Sequence, residues 1–252
     1  MSKIFPEMYD RPSNGAVAAG GIYWVVCYFM IPFVTQVLAW AFSTDLTAVG
    51  GVDIAAYIIN FLCMVALFRA YLGESFWNVQ LNKAGFVKTV LFTTVLLLLV
   101  EVAIWSYGLF ADHLFILSAF PISETSVIAD TGFVVIGNPL LGTLCMAVMT
   151  PVTVSCMFYG TVFAPIACKR PWMAYVVLAA SLLVPRLINI WWSDMGSFNW
   201  AIYVAQLPIH LVACWSYQKT NTIWAPIASL GISNLLTSLW FVYMAIIGNV
   251  YT

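Results

Sequence analysis

Apolar residues run through this chain in blocks of about twenty, separated by short polar punctuation. From Thr131 to Cys168 there is no charged side chain. Neither the period of two expected of a half-buried strand nor a narrow amphipathic stripe is visible over such lengths. A helix needs about 20 apolar residues to cross a bilayer and satisfies all its backbone polar groups internally. The blocks predict seven helical spans, roughly 16–42, 54–72, 87–110, 139–168, 172–192, 198–217 and 222–248. Long apolar runs exclude a β-barrel, whose strands alternate over about ten residues. The fourth and seventh spans exceed what a bilayer requires, which predicts tilt, a kink or a half-helix. Pro151, Pro165 and Pro226 mark the expected breaks, and tertiary packing must re-satisfy the groups that proline frees.

Composition agrees with this reading. Hydrophobic residues make up 63% and charged residues 8% of 252 residues, against a charged share of about 25% in soluble domains. The expected fold class is all-α: a polytopic transmembrane helix bundle, residues 1–252 forming one membrane domain, some helices broken or re-entrant.

The few charges sort by side. Lys3 and Arg11, then Arg69, Lys83 and Lys88, then Lys169 and Arg170, then Lys219 occupy alternate connections. The opposite connections carry Asp45 and Asp53, then Asp112, Glu124 and Asp130, then Asp194. The positive-inside rule then predicts a multi-pass cell-membrane protein with a cytoplasmic N-terminus and an external C-terminus. The first apolar block is too long for a signal-peptide core and is expected to stay as an anchor. The stretch Ala111–Gly137 reads as a short interfacial helix and loop. Trp77 and Trp191–Trp192 suit the aromatic belts. Net charge of −1, with no basic patch, gives no reason to expect nucleic acid.

The six cysteines, Cys27, Cys63, Cys145, Cys156, Cys168 and Cys214, fall in or at the ends of spans without a CxxC pair. They read as packing residues, not as a disulfide framework or zinc site. Of two histidines, His113 falls in the external stretch, and His210 has only Cys214 at ligand spacing, two ligands short of a zinc site. No metal and no cofactor is expected.

Several stretches together resemble a known family. They are Phe68-Arg-Ala-Tyr-Leu-Gly-Glu-Ser-Phe76, Thr150-Pro-Val-Thr-Val-Ser-Cys-Met-Phe-Tyr-Gly160 with Lys169-Arg-Pro-Trp172, Ser181-Leu-Leu-Val-Pro-Arg-Leu-Ile-Asn189, and Thr220-Asn-Thr-Ile-Trp-Ala-Pro-Ile-Ala-Ser-Leu-Gly-Ile-Ser-Asn-Leu235. In order and spacing, residues 68–240 resemble the CPBP family of intramembrane proteases, which includes CAAX-type proteases and bacteriocin-processing or immunity proteins. The resemblance implies a Glu-Glu pair where this chain has Val154 and Ser155, and an arginine where it has Tyr159. It implies histidines at Asn189 and Leu230, and an asparagine that is kept as Asn234.

In that family glutamate and histidine are thought to activate a water, which requires a base within hydrogen-bond reach. Val154, Ser155, Asn189 and Leu230 supply none. Ser155 as a nucleophile would need a base from another span.

Buried ionisable groups are candidates in their own right. Glu101 and Arg186 fall inside spans three and five, where a mutual ion pair would offset burial. The alternative is a polar cavity lined by Glu101, Ser155, Tyr159, Arg186, Asn189, His210 and Asn234. Gln36 and Asn60 read as interhelical hydrogen-bond glue. The expected function is that of a non-catalytic pseudoprotease, a binding, scaffold or immunity protein. Its expected partners are the bilayer and another membrane protein or a hydrophobic peptide. Two alternatives stay open: an active intramembrane protease with a relocated site, and a small transporter subunit. Against the latter, no inverted repeat is visible.

Overall fold

The computed structural model describes residues 8–26, 50–113, 139–192 and 200–250. Within them, side chains are described except at 50–56, 105, 107–113, 185–192, 200–206, 245 and 248–250. The described residues form seven helices and no strand. They are α1 (Asn14–Val25), α2 (Gly50–Leu81), α3 (Lys83–His113), α4 (Pro139–Ala167), α5 (Pro171–Trp192), α6 (Trp200–Thr220) and α7 (Trp224–Val250). Four stretches are long and apolar enough to cross a membrane: Tyr57–Leu81, Lys83–Ile104, Pro139–Ala167 and Trp224–Met244. Pro171–Val184 is a shorter apolar helix among the described side chains. The stretch expected to hold an interfacial helix and His113's side chain lie largely or wholly outside the described residues, as do Cys27, Gln36 and the side chains of Trp191 and Trp192.

α4 occupies the middle of the bundle. Its apolar window is 44% buried, against 28% for each of the other three, and it packs against α1, α2, α5 and α7. α3 lies on the other side of α7 and also packs against α6. The core beneath α1 is built from Phe68 of α2, Phe163 of α4 and Tyr217 of α6, all wholly buried. Phe163 sits between Tyr175 and Tyr217, with centroids 4.9 and 6.3 Å away. The five described cysteines are free thiols.

The fourth helix carries its expected irregularity as two π-helical stretches, Cys145–Met149 and Ser155–Phe163, ahead of Pro151 and overlapping the approach to Pro165. A proline donates no backbone hydrogen bond and pushes away the carbonyl four residues earlier. For Pro151 that carbonyl belongs to Ala147, and it faces Gly231 of α7 so closely that a Cβ there would stand 2.8 Å away. The neighbouring Met146 carbonyl accepts from the Asn234 side chain at 2.8 Å. Thr150 and Thr161 donate their hydroxyls to the carbonyls of Cys145 and Cys156, each five residues back, at 3.0 Å. The widened turns are therefore closed by side chains, as lipid-embedded backbone requires.

Pro226 does not break the seventh helix. It falls in the first turn of a continuous Trp224–Val250 helix, where no intrahelical N–H bond is lost. Pro208, which the breaks read from sequence did not include, lies inside α6.

Candidate functional site

Of the residues expected to line one polar cavity, Glu101, Tyr159, His210 and Asn234 are seen in three separate contacts. Tyr159 is wholly buried, and its hydroxyl is 2.9 Å from Nδ1 of His210, the rings meeting edge to face. Asn234 is committed to the Met146 carbonyl. The carboxylate of Glu101 accepts from Ser233 at 2.9 Å and from Thr237 at 2.7 Å, both on α7. Arg186 and Asn189 lie on α5, and their side chains, with the expected Glu101–Arg186 pair, fall outside the described residues. Asn60 is within hydrogen-bond distance of the Tyr23 hydroxyl, joining α1 to α2.

At three of the positions where the resemblance implies acid–base groups, Val154, Ser155 and Leu230, the side chains are packed. Ser155 is wholly buried and its hydroxyl has no hydrogen-bond partner among the described residues. Leu230 is buried within the core cluster, and Val154 packs against it. Among the described residues, no group of three or more His, Cys, Asp or Glu could hold a metal ion.

The densest polar cluster involves residues that sequence reasoning did not single out as a site. Residues 8–13 are non-helical and run across one end of the bundle, where Met8 and Pro12 are buried. Ser13 ends the segment as the N-cap of α1, accepting from Ala16 at 3.3 Å. Oδ2 of Asp10 accepts from the Tyr71 hydroxyl at 3.0 Å and the Ser75 hydroxyl at 2.7 Å. Tyr217 donates to the Asp10 backbone carbonyl at 3.0 Å and also meets the Tyr71 hydroxyl. The Tyr9 amide donates to Oδ1 of Asn221 at 2.8 Å.

Asn221 stops α6. Its φ of 51° is left-handed, a conformation asparagine tolerates better than most residues. Asn78 then donates to its carbonyl at 3.0 Å. The next residues bind back to α2: Thr222 donates to the Ser75 carbonyl at 2.9 Å, and the Trp224 indole to the Leu72 carbonyl at 2.9 Å. Burial raises the proton affinity of the Asp10 carboxyl above its ordinary value of 3.8, more than the bonds from Ser75 and Tyr71 lower it.

This latch joins residues up to 212 positions apart, so no local pattern could reveal it. Phe68–Phe76 and Thr220–Leu235, two of the stretches singled out in the sequence, touch at the latch.

Two hollows flank α7. One, of about 860 Å³, is a largely apolar groove against α4, with Leu140, Leu144, Val148, Ile232, Leu235 and Leu239 along its walls. The other, of about 350 Å³, lies between α3 and α7 and contains Glu101. No protein-family model, no curated protein and no solved structure matches this chain.

Proposed function

We propose that the chain is a non-catalytic, CPBP-like membrane protein that binds a hydrophobic peptide or a membrane-protein partner. Its seven helices cross the membrane with the N-terminus cytoplasmic and the C-terminus external. The observation that carries the non-catalytic reading is the state of Ser155. Acyl transfer by serine needs an adjacent base, and among the described residues this buried hydroxyl has no hydrogen-bond partner. Leu230, at a position where the resemblance implies histidine, fills core volume instead of facing a water.

Phe68–Phe76 and Thr220–Leu235 meet through Ser75, Thr222, Leu72 and Trp224. The apolar groove against α4 offers a partner helix or peptide a lipid-depth surface without charged side chains. Asn234 holds the Met146 carbonyl, so its role here is to complete the backbone of α4.

Peptide hydrolysis needs a deprotonated water and a stabilised oxyanion together. Purified protein incubated with whatever copurifies in gentle detergent should yield no cleaved product, with Ser155→Ala and Glu101→Gln as controls. A product that disappears in either control would mean a relocated active site.

Orientation has its own test. Reporters fused after Lys83 and Lys169 should read cytoplasmic, and those after Asp45 and Glu124 external, as the alternation of basic and acidic connections requires. An external reading after Lys169 would overturn the arrangement. The exposed Trp77 and Trp172, 66% and 61% accessible, suit the cytoplasmic interface in that orientation.

A further inference from the structure

We infer that the hollow between α3 and α7 is a binding site for a lipophilic organic cation, with Glu101 as its counter-charge. The inference does not depend on whether the protein is a protease, because it uses none of the residues at the family's catalytic positions.

Two helices set the depth of Glu101 independently. At 1.5 Å per residue, Glu101 is about 20 Å along α3 from Lys88, and its partner Thr237 about 20 Å along α7 from Trp224. In the proposed orientation both figures place the carboxylate inside a hydrocarbon layer of about 30 Å, on its outer side. An acid at that depth is costly unless it is paired or serves a ligand. Among the described residues its side-chain partners are two hydroxyls, Ser233 and Thr237. Each donates one hydrogen bond, and a carboxylate can accept about four, so among the described residues acceptor capacity remains for a ligand in the hollow.

The walls select the ligand. Leu98, Val102, Leu236, Trp240 and Phe241 surround the acid, so a strongly hydrated metal ion would find only one carboxylate and the Thr237 hydroxyl, too few ligands to replace its water. An organic cation with an apolar body would find both a counter-charge and hydrocarbon contact. Trp240 adds an aromatic face for the cation. At about 350 Å³, the hollow lies at the small end of the range for organic-ligand pockets, about 300–1,000 Å³. Val102, Leu236 and Trp240 are all exposed on the outside of the bundle, so entry is lateral, from the membrane, which favours ligands that partition into lipid.

The test uses tetraphenylphosphonium as the probe, measured by equilibrium dialysis against the full-length protein in detergent, with empty micelles subtracted. Wild type should bind saturably at one site, and triphenylphosphine oxide, of similar shape but neutral, should not compete. Glu101→Gln should weaken binding at least tenfold, Glu101→Asp should do so less, and Trp240→Leu should weaken it about threefold or more. Non-saturable uptake, equal competition by the neutral compound, or unchanged binding in Glu101→Gln would each overturn the site. If Glu101→Gln is not monodisperse, unchanged binding in Trp240→Leu overturns it instead.

Discussion

Replacing Asp10 with alanine should lower stability by about 2–4 kcal/mol, the cost of leaving buried polar groups without their acceptor. Two hydroxyls, those of Tyr71 and Ser75, donate to this one carboxylate oxygen. Ser75 keeps its bonds with the Ile223 amide and the Thr222 hydroxyl, each at 3.0 Å, and Tyr71 keeps the Tyr217 hydroxyl, but both lose their charged acceptor. Asp10→Asn retains an oxygen for both donors and should cost less than half as much. The loss should appear as a lower midpoint in thermal unfolding, with earlier protease cleavage of residues 8–13.

The same residue sets a pH dependence with a definite sign. Burial holds the folded carboxyl above its unfolded value of 3.8, and Glu74 adds repulsion in the same direction. The folded state therefore binds the proton more tightly than the unfolded state. This contribution to stability is full below 3.8 and is lost as pH rises through the raised folded value. The other titratable groups acting on this site are Tyr71 on α2, Tyr217 on α6 and Cys168 after α4. Wild type should thus gain stability relative to Asp10→Asn on acidification. Parallel stability–pH curves for the two proteins would show that the Asp10 carboxyl is not shifted by folding, and an alanine variant within about 0.5 kcal/mol of wild type that Asp10 does not hold the latch.

The latch also marks where hydropathy stopped being informative. The blocks read as 139–168, 172–192 and 222–248 correspond closely to Pro139–Ala167, Pro171–Trp192 and Trp224–Val250, because an apolar run of bilayer length has one way to satisfy its backbone. The second and third blocks fell short. α2 continues as helix past Leu72 through Glu74, Ser75 and Asn78 to Leu81, and α3 begins at Lys83. Those turns are polar because they serve the latch, and a hydropathy window ends where polarity begins.

The π-helical turns of α4 were foreseeable only as a break at proline. Which carbonyls are freed, and that Asn234 and Gly231 face them, depends on how α7 is set against α4. The candidate site divides in the same manner. Sequence could identify Glu101, Tyr159, His210 and Asn234 as unusual in an apolar chain. It could not assign Glu101 to Ser233 and Thr237, Tyr159 to His210, or Asn234 to a backbone carbonyl, since those pairings rest on helix rotation.

Two glycines of α1 should respond in opposite directions to the same substitution. At Gly20 a Cβ would stand 2.4 Å from the Thr161 hydroxyl and 2.9 Å from the Phe68 ring. Neither neighbour is free to retreat. Thr161 donates to the Cys156 carbonyl that closes a π-helical turn, and Phe68 is wholly buried, with its edge against Tyr71. A Cβ on Gly160 would also come within 3.3 Å of that ring, so α1 and α4 both approach Phe68 through glycine. Small residues allow this closeness between membrane helices.

Gly20→Ala should therefore cost about 1–3 kcal/mol by overpacking, and Gly20→Val more, because its second methyl has no open direction. At Gly15, the second residue of the same helix, nothing lies within 4 Å of an added Cβ. Gly15→Ala should be neutral or stabilising by up to about 1 kcal/mol, through the helix preference of alanine alone. Thermal unfolding of the two alanine variants in one detergent separates the effects. Equal shifts would mean that α1 does not seat against Phe68 and Thr161.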